Sequence, residues 1–198
     1  KRWVPDVKLN VGDLASGATQ NLINYNEIAF NILSGVALEG SVTSRNTVDG
    51  VYIHNNGEDG IAERNGASNN VWTRLKIAAN AGLGIDRAAN FGGAANIITT
   101  PFPTVTFVVK GPLTTTIGGI ASASNLITFS FTTTVEVYLA APNPLGYGDG
   151  RVYLGSTTTN ASGNWSLSVA NPPYDCFVGL RTRKQVVASD SLFSSQFG

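Results

Sequence analysis

The stretch Asn46-Thr-Val-Asp-Gly-Val-Tyr-Ile-His-Asn-Asn-Gly-Glu-Asp-Gly-Ile61 is repeated 24 residues later as Asn70-Val-Trp-Thr-Arg-Leu-Lys-Ile-Ala-Ala-Asn-Ala-Gly-Leu-Gly-Ile85. The two copies align without a gap, and the identical pairs are Asn46–Asn70, Ile53–Ile77, Asn56–Asn80, Gly60–Gly84 and Ile61–Ile85. A fixed period of this length is typical of a chain built from stacked units, none of which buries its apolar side alone. The repeat therefore predicts the architecture of the first half of the chain.

The spacing of apolar residues inside the repeat predicts short strands rather than helices. These residues recur in steps of two and three, which does not fit a period of 3.6 residues. Strands stacked about 4.8 Å apart place equivalent residues above one another. A fainter copy at an offset of 23 residues adds a first coil, and the predicted inward columns are Tyr25–Val48–Trp72, Ile28–Val51–Leu75, Phe30–Ile53–Ile77 and Leu38–Ile61–Ile85. Asn56 and Asn80 are predicted to form a ladder at a bend, and Gly60 and Gly84 a corner with a positive φ.

Composition and charge limit the kind of protein. The 198 residues include 13 basic and 13 acidic side chains, so no net charge attracts nucleic acid or an anionic membrane. Only 13% of residues are charged, and 22 Gly and 8 Pro favour an extracellular all-β protein with almost no helix. No apolar run approaches the roughly 18–20 residues that span a bilayer, so no membrane insertion is expected. The absence of Met, even at position 1, indicates a removed leader segment or a fragment.

The ending of the last repeat, Gly82-Leu-Gly-Ile-Asp86, and the Asn and Ile spacing before it resemble the bacterial secreted right-handed parallel β-helix proteins. Val51 and Leu75 depart from that family, which often has Asn at these positions. The resemblance covers roughly residues 20–100. It implies a short β-helix of about three to four coils over residues 21–100, preceded by residues 1–20 as an N-terminal arm or a partial coil.

A second all-β domain, an immunoglobulin-like β-sandwich, is predicted for residues 101–198. After the stiff joint Pro101-Phe-Pro103, alternating apolar runs are separated by turn clusters at intervals typical of a sandwich. The predicted strands are Thr104–Lys110, Leu126–Thr132, Val135–Ala140, Arg151–Ser156, Trp165–Val169, Phe177–Arg181 and Val186–Ser189. The hairpin from Val152 to Val169 resembles the immunoglobulin-like modules of bacterial surface proteins, and Ser191–Phe197 is similar to their last strand. The single cysteine, Cys176, is predicted to be a small buried residue on a strand.

Catalytic residues are not predicted, although Asn46–Gly50 and Arg74–Lys76 loosely resemble motifs of pectin-cleaving glycosidases. Hydrolysis needs two carboxyl groups held about 5–10 Å apart across a groove. In the repeat, Asp49 falls on Thr73 and Arg74 on Gly50, so both are expected at outward, variable positions. We therefore expect a protein that is not an enzyme.

Metal and cofactor sites are not predicted either. Glu58-Asp59 and Glu63 lack the Asp-x-Asp-x-Asp spacing of a Ca²⁺ loop. His54, the only histidine, excludes His₂ and His₃ metal sites and is expected at the surface. The Gly-rich segment Pro144–Arg151 is interpreted as a long hairpin loop rather than a ligand cradle.

Two Asn-x-Ser triplets make Asn160 and Asn164 candidate glycosylation sites on the exposed hairpin turn. In a bacterial chain, ordinary turn chemistry is the favoured explanation for both residues.

We predict a secreted structural protein located at the cell surface or in an extracellular fibre. A coil of three or four turns leaves an apolar cross-section and unpaired strand edges at its first turn. Other copies of the chain are the predicted partners, joined into a filament or surface layer through open β-helix ends and residues 1–20. The alternatives are the C-terminal portion of a carbohydrate-binding or carbohydrate-cleaving spike, with glycans as partners, and a monomeric adhesive module.

Overall fold

The computed structural model describes residues 14–15, 17–86, 103–121, 134–142, 148–171 and 186–190. These residues form sixteen β-strands, and no helix occurs among them. The all-β prediction is therefore confirmed for the described part of the chain. No helix within these ranges has the length and apolar character to cross a membrane.

The first half of the chain winds through three parallel sheets in turn. Its strands are β1 (Leu14–Ala15), β2 (Leu22–Asn24), β3 (Glu27–Ala29), β4 (Val36–Glu39), β5 (Thr47–Asp49), β6 (Tyr52–His54), β7 (Ile61–Arg64), β8 (Val71–Thr73), β9 (Lys76–Ala78) and β10 (Ile85–Asp86). The sheets have the orders β1-β4-β7-β10, β2-β5-β8 and β3-β6-β9. We call β1–β3 the first coil, β4–β6 the second coil and β7–β9 the third coil. β10 begins a fourth turn, as the prediction of three to four coils requires.

The 24-residue repeat places its apolar residues in the coil interior. Ile53 pairs with Ile77 and Ile61 with Ile85, as predicted, and all four side chains are buried. Trp72 stacks on Val48 and is buried as well. The columns of the second and third coils are thus confirmed.

The predicted register of the first coil is wrong. Ile28 pairs with Ile53 at a separation of 25 residues, whereas an offset of 23 had placed Phe30 there. Ile23 occupies the column assigned to Tyr25, and Val36 pairs with Ile61 in place of Leu38. Tyr25 and Phe30 lie at bends with positive φ values of 49° and 59°, and both are exposed. Their apolar character imitates the interior pattern, but the bends point them outward.

Two asparagine ladders connect the coils. In the predicted ladder, the backbone N–H and the side-chain Nδ2 of Asn56 donate to Oδ1 of Asn80 at 3.1 and 2.8 Å. Asn31 extends this ladder into the first coil by the same two bonds to Asn56. A second, unpredicted ladder runs at another bend, and its members are Asn21, Asn46 and Asn70. Buried amides satisfied in this way fix the register between coils.

Glycine recurs at positions 60 and 84 of the repeat for a different reason from the predicted one. Neither residue has a positive φ. A Cβ on Gly60 would lie 2.5 Å from the carbonyl oxygen of Gly84, so the absence of a side chain permits close approach between coils. A left-handed conformation is found instead at Gly50, with φ of 64°. Tyr25 and Arg74, at the equivalent bends of the first and third coils, also have positive φ values.

The second half of the chain forms two antiparallel sheets. The strands are β11 (Thr104–Lys110), β12 (Thr114–Ile120), β13 (Thr134–Pro142), β14 (Gly148–Thr158), β15 (Asn164–Ala170) and β16 (Val186–Asp190). Their orders are β11-β12-β15 and β14-β13-β16, and the two sheets share a core that includes Ile117, Val135, Val137 and Trp165. Five of the predicted strands are confirmed, and β12 was not predicted. Leu126–Thr132, Phe177–Arg181, Ser191–Phe197 and Cys176 lie outside the described residues, and the immunoglobulin-like identity stays a prediction.

Strand β13 faces two different cores. Val135 and Val137 point into the core that the two antiparallel sheets share. Between and beyond them, Glu136 and Tyr138 point to the coil, and Tyr138 belongs to the buried cluster of the coil interior. The alternation of a strand thus joins the two halves of the molecule.

Candidate functional site

The end of the third coil is closed by Glu136. In the preceding coils, a backbone N–H at one bend donates to the next coil, as Gly50 does to the carbonyl oxygen of Thr73 at 3.0 Å. The equivalent N–H in the third coil belongs to Arg74, and it donates to Oε2 of Glu136, also at 3.0 Å. The carboxylate therefore occupies the position of a carbonyl group in a further coil.

Further contacts hold Glu136 and its neighbour in place. The hydroxyl groups of Thr73 and Tyr138 donate to the two carboxylate oxygens of Glu136, which is only 3% exposed. Burial and the adjacent carboxylate raise the pKa of Tyr138, so its hydroxyl group remains a donor at neutral pH. The Tyr138 ring packs on the coil interior and lies edge-on to Tyr153. The apolar cross-section of the third coil is therefore covered by the chain itself.

The first coil has the opposite character. Among the described residues, β2 and β3 are the outermost strands of their sheets, so each has one edge without a neighbouring strand. The large hydrophobic residues exposed on or beside this coil are Leu22, Tyr25, Phe30, Ile32, Leu33 and Val42. They are six of the twelve such residues in the described part of the chain, although the first coil is a small part of it. We call these six side chains the first-coil surface.

The predicted N-terminal arm, residues 1–20, lies partly within the first coil. Leu14 pairs with Leu38, and Thr19 forms a parallel bridge with Ser44. Residues 1–13 and 16 are outside the described residues. The described part of residues 1–20 therefore continues the coil on one sheet, and it leaves β2 and β3 as the outer strands of the other two.

Asp49 and Arg74 pair across two coils. Nε of Arg74 donates to Oδ1 of Asp49 at 2.8 Å, and Nη2 donates to Oδ2. This pairing raises the pKa of Arg74 still further, and about half of the guanidinium side chain is exposed. Both residues point outward, as the sequence predicted. The Asp49 carboxylate is thus paired with a guanidinium group, and no second carboxyl group faces it in this contact.

His54 is not a surface residue, contrary to the prediction. It is 8% exposed, its ring stacks on Tyr52 at 4.0 Å between centroids, and its Nε2 lies 2.7 Å from Oε1 of Glu27. Phe30 lies edge-on to the same ring, and Nζ of Lys76 lies 4.0 Å from the centroid of Tyr52. The aromatic neighbours bury His54, whereas the equivalent residues Ala29 and Ala78 are only partly buried.

The acidic residues of the second coil serve internal contacts. Nη2 of Arg64 donates to Oε2 of Glu58 at 2.8 Å, and Oδ1 of Asp59 accepts the N–H of Leu83 at 2.8 Å. Burial raises the pKa of Asp59. Glu63 lies inside the coil and accepts from Nδ2 of Asn70 at 2.9 Å. In the described ranges, no group of three or more His, Cys, Asp or Glu side chains is arranged to hold a metal ion.

The candidate glycosylation sites lie at the turn between β14 and β15. Oδ1 of Asn160 accepts the backbone N–H groups of Ser162 and Asn164 at 2.9 and 3.0 Å, so this side chain shapes the turn. Asn160 and Asn164 are both exposed. Glycosylation at either residue stays a prediction. Of the predicted loop Pro144–Arg151, residues 148–151 belong to β14 and the remainder lies outside the described residues.

Comparison with known families supports the coil. A family model described as a right handed beta helix region matches residues 10–99. Together with the three parallel sheets, this match supports a right-handed β-helix for the matched region. No curated protein matches the sequence. Enzymes and non-enzymes both have this fold, so the match leaves the activity open.

Proposed function

We propose that the protein is an extracellular structural protein that associates with copies of itself through the first coil. The observation that carries the proposal is the contrast between the coil's two ends. Both ends have outermost strands, but Glu136 and Tyr138 cover the third coil, whereas six large hydrophobic side chains are exposed on or beside the first coil. An apolar surface beside open strand edges is typical of an association site.

The first coil of one copy is better suited to contact the first coil of a second copy than its third coil. Stacking a first coil on a third coil would need the edge that β13 and β14 occupy in this structure. Two first coils related by a twofold axis would instead pair their outer strands in antiparallel fashion and bury the part of the first-coil surface that lies beside these strands. Leu14, Ala15 and Thr19 lie at this end, and we propose that residues 1–20 are part of the contact.

The extracellular setting is part of the same proposal. A surface rich in Thr, Ser, Asn and Gly and poor in charge supports it, as does the likeness of the hairpin Val152–Val169 to modules of bacterial surface proteins. In this proposal the antiparallel domain is an immunoglobulin-like module that closes the coil. Filaments or surface layers are the expected assemblies, and they need a second contact, because a twofold first-coil contact alone gives a dimer.

In this proposal the protein has no catalytic function. Asp49 is paired with Arg74, Glu58 with Arg64, and Asp59 with the backbone of Leu83. Incubation with pectin and alginate, with and without Ca²⁺, should give no cleavage products by reducing-end assay or by absorbance of unsaturated ends. Turnover that disappears in Asp49→Ala or Glu58→Ala would contradict the structural role.

The association test compares two matched substitutions of exposed residues. Ile32→Asp places a charge on the first-coil surface, and Leu113→Asp places one at an exposed turn far from it in sequence. Sedimentation velocity over a wide concentration range should show self-association of the unmodified chain and of Leu113→Asp. Ile32→Asp should raise the dissociation constant of the first-coil contact by about tenfold or more, which corresponds to about 1.4 kcal/mol.

The result that would overturn the proposal is a full chain that stays monomeric at all concentrations. The monomeric adhesive module would then be the better explanation. Circular dichroism of each variant distinguishes a lost contact from a lost fold.

A further inference from the structure

The outermost strand of the first antiparallel sheet has an unusual sequence for an edge. β11 reads Thr104-Val-Thr-Phe-Val-Val-Lys110 and, within the described residues, pairs with β12 alone. Its first six residues are uncharged and include no Gly or Pro. Natural edge strands are usually short, charged or interrupted, because an open apolar edge recruits further strands.

The apolar residues of β11 are exposed on both faces of the sheet. Val108 lies opposite Ile117, which is buried on the inner face, and Val109 lies opposite Thr116 on the outer face. Because cross-strand partners share a face, Val108 and Val109 point to opposite sides. Val109 is nevertheless 60% exposed, and Val108 and Phe107 are also exposed. Such a strand resembles a central strand of a larger sheet, which has neighbours on both edges.

One protective device is present, and it covers only half of the strand. The register with β12 shifts between Val105 and Phe107, which marks a β-bulge. From Phe107 to Lys110 the pairing with β12 is regular. The second half of β11 therefore has no bulge, and β16 is near β11 without pairing with it.

The other edge of the same sheet is different. β15 pairs with β12 on its inner side, and its exposed outer-face residues are Asn164, Ser166 and Ser168. The two edges have the same length of seven residues, but only β11 has an apolar one. If selection for solubility alone determined the edge strands of this sheet, both edges would be polar.

We propose that β11 is a second self-association site, at which β11 of another copy adds in antiparallel orientation. Antiparallel pairing of the regular half of this strand with itself places Val108 opposite Val108 and Phe107 opposite Val109, which are favourable cross-strand partners. It also places the two Lys110 residues at opposite ends, so that no like charges meet. The joined sheet would have six strands, which is a usual size.

The β11 contact extends the proposed function. The contact itself does not depend on that function, but the formation of a filament does, because it also requires the first-coil contact. Twofold contacts close, so either the first-coil contact or the β11 contact alone gives a dimer. Alternation of the two contacts gives an open chain of copies. The β11 contact therefore supplies what a coil with one covered end lacks.

The test uses four proteins: the unmodified chain, Ile32→Asp, Val109→Lys and the double variant. We expect polymers for the unmodified chain, dimers for each single variant and monomers for the double variant, by sedimentation velocity and negative-stain electron microscopy. Leu113→Lys, a matched change at the exposed turn beside β11, should leave the polymers intact.

The outcomes separate the two sites. If Ile32→Asp is already monomeric and Val109→Lys still behaves as the unmodified chain, the β11 contact is excluded and the first-coil contact stands. If Val109→Lys is monomeric and Ile32→Asp has no effect, the first-coil contact fails and β11 remains.

Hydrogen exchange of the unmodified chain provides a readout that does not depend on the folding of a variant. Amide protons of residues 107–110 should become at least several-fold better protected as the concentration rises, whereas those of the outer edge strand β15 should not change. Equal protection at low and high concentration would overturn the inference.

Discussion

The two ends of the β-helix meet the same physical problem in different ways. Each end of a coil presents backbone N–H and C=O groups and an apolar cross-section. At the third coil, a carboxylate from another domain accepts the N–H of Arg74, and a buried tyrosine ring covers the cross-section. At the first coil, the described residues include no such cover, and the outward side chains are apolar as well. The difference is that the chain closes one end itself, and in our proposal the other end binds a partner.

The largest effect that tests this comparison involves two isoleucines. Ile77 is fully buried in the third coil, whereas Ile32 of the first-coil surface is 90% exposed. Ile77→Ala should lower the free energy of unfolding by about 2–5 kcal/mol, because it leaves a cavity in a packed core. Ile32→Ala should change it by no more than about 0.5 kcal/mol, as substitutions at exposed positions usually do.

Urea denaturation of dilute protein, at which association is negligible, measures both values. A large loss of stability for Ile32→Ala under these conditions would mean that the first coil is covered within a single copy.

The second test removes the carboxylate that closes the third coil. Glu136→Ala leaves the donors of Arg74, Thr73 and Tyr138 without this acceptor, and a buried donor without a partner costs about 1–3 kcal/mol. Glu136→Gln should lose less, since its amide oxygen can still accept a bond. Glu27→Ala, at an exposed glutamate of the first coil, is the matched control and should cost less than about 1 kcal/mol. Equal stability of Glu136→Ala and the unmodified chain would show that the third coil does not depend on Glu136.

The smallest expected effect concerns pH. Burial raises the pKa of Asp59 above its usual value of 3.8, so the folded state binds this proton more tightly than the unfolded state. The charged carboxylate therefore lowers stability at neutral pH, and the loss is recovered as the pH falls through the raised pKa. Asp59→Asn, which keeps an oxygen for the N–H of Leu83, should be more stable relative to the unmodified chain at pH 7 than at pH 4. Thermal melts of both proteins at the two pH values measure the difference, and an opposite trend would contradict the assignment.

The sequence predicts the coil better than it predicts the closure of the coil. Ile53, Ile77, Ile61 and Ile85 repeat at a constant spacing, and the same spacing places them in columns. The first coil differs by one residue in length, and outward Tyr25 and Phe30 then imitated its interior pattern. A gap-free alignment at 23 residues could not detect this, because apolar residues at bends and in the core look alike.

The domain contact could not be found by local pattern. Glu136 lies between Val135 and Val137, and strict alternation would assign it to solvent. Its partner Arg74 is 62 residues away, so no spacing rule connects them. β12 was missed for a related reason: its two Gly residues weaken the strand signal of its Thr and Ile residues, and its neighbours β11 and β15 determine its place.

The asparagine ladders have a consequence for the length of the molecule. Every ladder bond runs from one coil to the next. The Asn of each coil donates to the Oδ1 atom of the next Asn, and its own Oδ1 atom accepts from the Asn of the preceding coil. A duplicated unit of residues 46–69 would therefore find its bonds in the existing ladders. It would lengthen the solenoid by about 4.8 Å and leave both ends chemically unchanged. The number of coils thus sets the distance between the first-coil surface and β11. In the proposed assembly, tandem duplication of a coil would change the repeat distance and keep both proposed contacts.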